Sequence, residues 1–192
     1  MRWFFCLIFW SFLQSGQAPA QAYLNNGFFE GEAQDATVPA GWHVCAPGST
    51  PDILPGPWGV FLEASEGETY IGLITREDGS FESIGQRLNQ PLATGQCYEL
   101  RVDLAHSLTY AGYKGHLQLR IWGGTSRCGK DQLLFESPLI KNSDWQTYSH
   151  KFTAEKPVQY LTLEAYNPDG EVYQMGNILI DHLSGIRLCS RA

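Results

Sequence analysis

Leu24-Asn25-Asn26-Gly27-Phe28-Phe29-Glu30-Gly31 (LNNGFFEG), with Gly41-Trp42 ten residues beyond its end, is the stretch on which the reading of this chain turns. Asn25-Asn26-Gly27 has turn chemistry, because Asn and Gly both tolerate left-handed backbone. Immediately upstream lies MRWFFCLIFWSFLQSGQAPAQA, with a cation at Arg2, an apolar run from Trp3 to Leu13, and small residues at Ala18, Ala20 and Ala22. That layout is a secretory signal peptide, and its apolar run is too short to cross a bilayer. Residues 1–22 are therefore set apart from a single domain over 23–192, with cleavage after Ala20 or Ala22. Cys6 follows Phe5, so it lacks the small neighbour a lipoprotein site needs. The expected location is secreted, periplasmic or at the cell surface.

About 170 residues remain, enough for one domain with a real core. The formal charge of -7 excludes a basic footprint for nucleic acid or anionic lipid. Without Cys6 four cysteines are left, Cys45, Cys97, Cys128 and Cys189, none in a C-x-x-C spacing. In an exported chain an even number favours two disulfides, with three pairings open.

Short apolar segments alternate with turns through the rest of the chain, the pattern of an all-β sandwich. Strands are expected near Phe28-Phe29, Val60–Leu62, Tyr70–Thr75, Phe81–Arg87, Cys97–Ala105, Leu117–Trp122, Gln132–Phe135, Gln146–Phe152, Val158–Tyr166 and Ile178–Arg187. Pro39-Ala40-Gly41, Pro55-Gly56-Pro57, Asp78-Gly79, Thr94-Gly95, Gly123-Gly124 and Pro168-Asp169-Gly170 punctuate them. Asp78-Gly79 reads as a hairpin turn. The stretch from Gly31 to Gly59 is long and proline-rich, which points to function or to a crosslink at Cys45.

The N-G-x-F-E of Asn26 to Glu30, Gly41-Trp42, Pro91-Leu92 before Gly95-x-x-Tyr98, and Asp181 in the closing ILIDHL resemble galactose-binding-like, carbohydrate-binding-module-like jelly rolls. GSTPDIL at Gly48–Leu54 and YIGL at Tyr70–Leu73 are similar to segments of lectin-like domains in exported bacterial gliding and adhesion proteins. The resemblance implies a two-sheet antiparallel sandwich that binds glycan, with a structural Ca²⁺. Calcium takes six to eight oxygen donors. Glu30 and Asp181, with carbonyls near Asn26 and Gly27, are the ligands the resemblance implies; the bland alternative is an Asx turn at Asn25-Asn26 beside a solvated Glu30. If the Cys97 strand pairs antiparallel with the closing strand, as that fold has them, Cys97 meets Cys189, leaving Cys45 for Cys128.

A pyranose needs a flat aromatic face for its C–H groups and polar side chains for its hydroxyls. Trp58, Tyr110, Tyr113 and Trp122 meet the first need, with Asp52, Arg76, Glu77, Asp78 and Glu82 as polar neighbours. Arg76 and Glu82 would form a charged rim. Trp42, Trp145 and Tyr148 read as packing. No G-x-S-x-G, H-E-x-x-H or phosphate-loop motif occurs, and His43, His106, His116, His150 and His182 are scattered. The expectation is a non-catalytic, lectin-like module whose ligand is a carbohydrate or other cell-surface molecule. Its alternatives are an envelope adhesion or structural protein using the sandwich for protein contacts, and a glycan hydrolase with a carboxylate pair drawn from Glu82, Glu99, Asp103 and Glu164.

Overall fold

The computed structural model describes residues 21–168 and 175–190. The expected leader as far as Ala20 and the Asp169-Gly170 part of the last expected turn lie outside the described residues. The strands are β1 (His43–Val44), β2 (Asp52–Leu54), β3 (Tyr70–Thr75), β4 (Ser83–Leu92), β5 (Cys97–Ala105), β6 (Gly115–His116), β7 (Gln118–Gly124), β8 (Gln132–Glu136), β9 (Gln146–Thr153), β10 (Val158–Tyr166), β11 (Gly176–Asp181) and β12 (Arg187–Leu188). A five-stranded sheet has the order β1-β4-β10-β7-β8. The other sheet runs β12-β5-β11-β3-β2, with β9 on β5 and β6 on β11.

Between the sheets, Ile71 and Leu73 of β3, Leu100, Val102 and Leu104 of β5, and Ile178 and Ile180 of β11 meet Ile84 of β4, Leu119 and Ile121 of β7, and Leu161 and Leu163 of β10. Alternation by two sends these side chains to one face of each strand. A second core explains why β3 and β11 read as unbroken apolar runs. Tyr70, Ile74, Ala105 and Leu179 face the other side of the larger sheet and are covered by Leu54, Val60, Tyr110 and Trp145. Both faces of these strands are thus dry.

Three expected strands differ in the structure. Phe28-Phe29 lies in a turn, since Phe29 has φ 55° and its ring packs tilted against Trp42, 5.1 Å between centroids. Val60–Leu62 is not in a strand; it lies in the loop covering the second core. The closing segment breaks at His182, φ 46°, so β11 ends at Asp181 and β12 starts at Arg187. Asp78-Gly79 does form a tight turn, with Arg76 N donating to Ser80 O at 2.8 Å. Its arms pair as a short hairpin, Thr75 bridging Phe81 antiparallel and Glu82 N donating to Ile74 O at 3.0 Å, before β3 and β4 enter different sheets.

Both disulfides are present, Cys45–Cys128 and Cys97–Cys189. The second closes the β5–β12 ladder, in which Leu188 faces Tyr98 and Cys189 N donates to Cys97 O at 3.0 Å. Among the described residues, no helix is long and apolar enough to cross a membrane.

Candidate functional site

Trp58 sits in a 3-10 turn, Pro57–Gly59, with φ 55° and ψ 16°. A bulky residue in left-handed backbone costs roughly 1–3 kcal/mol and persists only where its surroundings impose it. Here Gly56 N donates to Val60 O at 2.7 Å, Val60 N to Pro57 O at 3.1 Å, and Ala111 N to Trp58 O at 3.0 Å. Yet the side chain is 46% exposed. Its ring borders a cleft of about 460 Å³ shared with Pro57, Ala33, Gln34 and Asp35. That volume falls within the roughly 300–1,000 Å³ of small-ligand sites.

The Trp58 ring is braced from beneath. Tyr113 meets it edge-on at 6.3 Å, and Tyr110 meets Tyr113 edge-on at 5.8 Å. The Tyr110 hydroxyl donates to the Asp52 carboxylate, which also accepts Ala36 N at 2.8 Å. Burial raises the pKa of Asp52, opposed by hydrogen bonds from Tyr110, Ala36 and Trp58. Tyr110 and Asp52 are buried supports and not contact residues, which corrects the expected role of Tyr110. The Gln34–Asp35 wall carried no motif; its place comes from the bridge between Gln34 and Ile53.

The remaining expected ligand residues lie elsewhere. Trp122 alternates with Ile121 on β7 and faces outward from the five-stranded sheet, with Lys130 Nζ 5.9 Å from its ring. Its indole Nε1 is buried without a partner. Glu82 is 0% exposed and accepts Arg76 Nη2 at 2.6 Å, Thr50 N at 2.9 Å and Ile74 N at 3.2 Å. Arg76 and Glu82 therefore brace the β3–β4 corner and do not rim a cleft. Glu77 and Asp78 are exposed at that corner. Trp42 and Trp145 are packing residues, their indoles donating at 2.9 Å to Asn26 O and at 2.8 Å to Glu63 O.

Of the carboxylates weighed for hydrolysis, Glu164 pairs with Lys130 and Glu99 lies near Arg101 and Arg187. Glu99 and Asp103 stand on the larger sheet, and Glu164 stands on the smaller one.

Glu30 and Asp181 reach the same four-residue loop, Ser65–Glu68. Asp181 Oδ2 accepts Ser65 N at 2.8 Å and Glu66 N at 3.0 Å, while Glu30 Oε1 accepts Glu68 N at 3.1 Å. At Gly67, between them, an added Cβ would lie 1.9 Å from Glu30 Oε1. Asp181 is fully buried, and burial, with Asp103 as a lesser contributor, pushes its pKa up to about 6. Asp103 lies directly across the ladder from Asp181, takes the Ser65 hydroxyl at 2.6 Å, and leaves Oδ1 buried and unpartnered. The Asn26 side chain accepts Glu30 N at 2.8 Å and donates to Glu30 O at 2.9 Å and Ala40 O at 3.2 Å, and so shapes the turn that presents Glu30. Of the carbonyls expected at the metal, Asn26 O accepts Trp42 Nε1 at 2.9 Å and Gly27 O accepts Leu183 N at 2.9 Å.

No protein-family model matches the chain, and no curated protein does. Solved structures do. An arabinose-bound α-L-arabinofuranosidase is similar at 11% identity and TM-score 0.59 over 90% of this chain; the chain spans 27% of that enzyme. The CBM22-1 xylan-binding domain from Paenibacillus barcinonensis is similar at 15% identity and TM-score 0.53, covering 93% of this chain and 100% of that one. The K3 cleaved adhesin domain of Lys-gingipain from Porphyromonas gingivalis gives 11% identity and TM-score 0.52, with 88% and 98% covered. At these identities the likeness is one of fold, and the fold is a carbohydrate-binding-module-like jelly-roll sandwich.

Proposed function

We propose that this chain is an exported, non-catalytic module that binds carbohydrate at the cleft beside Trp58, with Ca²⁺ tying its chain ends. The observation that carries the reading is a half-exposed tryptophan, imposed in left-handed backbone and braced by Tyr113, beside the polar side chains of Gln34 and Asp35. An indole face held rigid loses little entropy on stacking against a sugar, and the polar wall supplies hydroxyl partners. One structure of similar fold is described as xylan-binding and another as arabinose-bound, in keeping with such a ligand.

Glu30, Asp181 and the free oxygen of Asp103 would have to draw together to hold the Ca²⁺, since these carboxylate oxygens do not all lie within 4.8 Å of one another. The donors are all oxygen, as a hard cation requires, and buried Asp181 has no Lys or Arg among its described ion-pair partners. Bound there, the ion supplies charge neutralisation and joins the first turn to β11. Two disulfides and the leader-like first residues support export.

The test is a glycan array and polysaccharide pull-down with oxidised, calcium-loaded protein, followed by fluorescence titration of each hit. Trp58→Ala should weaken binding on the order of tenfold or more, and a blank array sinks the reading. A protein-contact role has its own observation: Phe61 is 75% and Leu108 67% exposed, side by side at a cleft of about 240 Å³. Phe61→Asp would abolish partner retention in that case and leave glycan binding intact.

A further inference from the structure

Across the outer face of the five-stranded sheet, one row runs His43, Gly85, Thr162, Trp122 and Leu133. His43 Nε2, Thr162 Oγ1 and Trp122 Nε1 in that row are all buried without a hydrogen-bond partner. The Cys45–Cys128 disulfide lies over one end of it. Gly85 makes room there: a Cβ added to it would lie 2.7 Å from Cys45 Sγ and 3.1 Å from His43 Nε2. The two sulfurs and a ring nitrogen of His43 all lie within 4.8 Å of one another.

Oxidised, the two cysteines are bonded to each other and cannot act as thiolate ligands. We propose that reduction of Cys45–Cys128 converts this corner into a Cys₂His site for a soft divalent cation, Zn²⁺. Two thiolates and a neutral imidazole are a zinc donor set, and three protein ligands leave a fourth position for water. A cavity of about 200 Å³, lined by both cysteines with Pro47, Phe81, Ser83 and Lys130, gives that water room.

The scaffold does not depend on the S–S bond alone. Cys45 N donates to Ser83 O at 2.8 Å, and the Cys128 loop is closed by Gly129 N to Ser126 O at 3.0 Å and Asp131 N to Gly123 O at 2.9 Å. Reduction by a phosphine breaks the S–S bond: the phosphine takes the oxygen of one water and leaves as its oxide, and that water's two hydrogens end on the two thiols. Zn²⁺ then forms two Zn–S bonds as both thiol protons pass to solvent. The metal keeps its oxidation state, and reoxidation of the pair expels it.

The experiment titrates Zn²⁺ into the mature chain against a chromophoric chelator, oxidised and after phosphine reduction, with near-UV circular dichroism reporting native packing. One equivalent should bind the reduced chain and none the oxidised chain. His43→Ala, which keeps every thiol, should bind on the order of tenfold more weakly or worse. Cys45→Ser should lose the site, and the double variant Cys97→Ser, Cys189→Ser should retain it. Undiminished binding by His43→Ala or Cys45→Ser would overturn the proposal. So would a reduced wild type that takes up no zinc, or one that stays unfolded with zinc present.

Discussion

Ala22 and Ile186 form an antiparallel bridge, each amide donating to the other's carbonyl at 2.8 Å, and both side chains are buried. Residues just ahead of the LNNGFFEG turn are thereby built into the sandwich. Gln21 joins them through its carbonyl, which accepts Gln90 Nε2 at 2.5 Å. Of the two cleavage positions that satisfy the small-residue rule, only the one after Ala20 preserves these bonds. The mature protein is expected to begin at Gln21, read by intact mass and N-terminal sequencing of exported material; a start at Tyr23 would refute it.

Calcium should raise the thermal stability of the oxidised protein, and EGTA should reverse the rise. An ion at ~100 times its Kd adds about 2.7 kcal/mol to the native state. Glu30→Ala and Asp181→Ala should both abolish the shift. Gly67→Ala should also remove it, since its methyl group would displace the Glu30 carboxylate and its φ of +71° disfavours a side chain. A shift that survives in all three variants would place calcium elsewhere.

Asp52 should leave a signature in the pH dependence of stability. Unfolded, its carboxyl titrates near its ordinary 3.8; folded, burial holds the proton to a higher pH. Between those two values the native state binds more protons, so this group's contribution to stability falls as pH rises and levels off above its folded pKa. Asp52→Asn should lack that decline while still accepting the Tyr110 hydroxyl. Denaturant midpoints of both proteins, from about pH 4 to 7, decide it: parallel profiles would show that Asp52 does not titrate differently on folding.

Removing the Cys97–Cys189 crosslink by paired serine substitutions should cost about 2–5 kcal/mol, read from the urea midpoint. The bridge spans 92 residues and ties β12, only two residues long, to β5. Loss should be accompanied by faster amide exchange at Leu188 and at the position after it. An unchanged midpoint would mean that the β5–β12 ladder holds without it.

Much of the architecture was legible in local chemistry. Tyr70–Thr75, Cys97–Ala105 and Val158–Tyr166 were delimited by their apolar pattern and flanking turn residues, because strand periodicity is a property of neighbours in the chain. The disulfide partners followed once two strands were set antiparallel. Phe29 and His182 were misread as strand residues because their positive φ values answer to contacts far away, the Trp42 ring and the Gly27 carbonyl that accepts Leu183 N.

The candidate site belongs to tertiary structure. Trp58 and Trp122 are alike in sequence, each beside glycine, yet the sandwich sends them to opposite outer faces and sets Trp58 beside an open cleft. Glu82 looks like a surface charge and is buried, because the β3–β4 corner passes between sheets and needs a brace. Asp103 shows no motif and gains its importance from standing across the ladder from Asp181. Periodicity encodes which side of a strand a residue faces; what lies on that side depends on elements distant in the chain, and only packing brings them together.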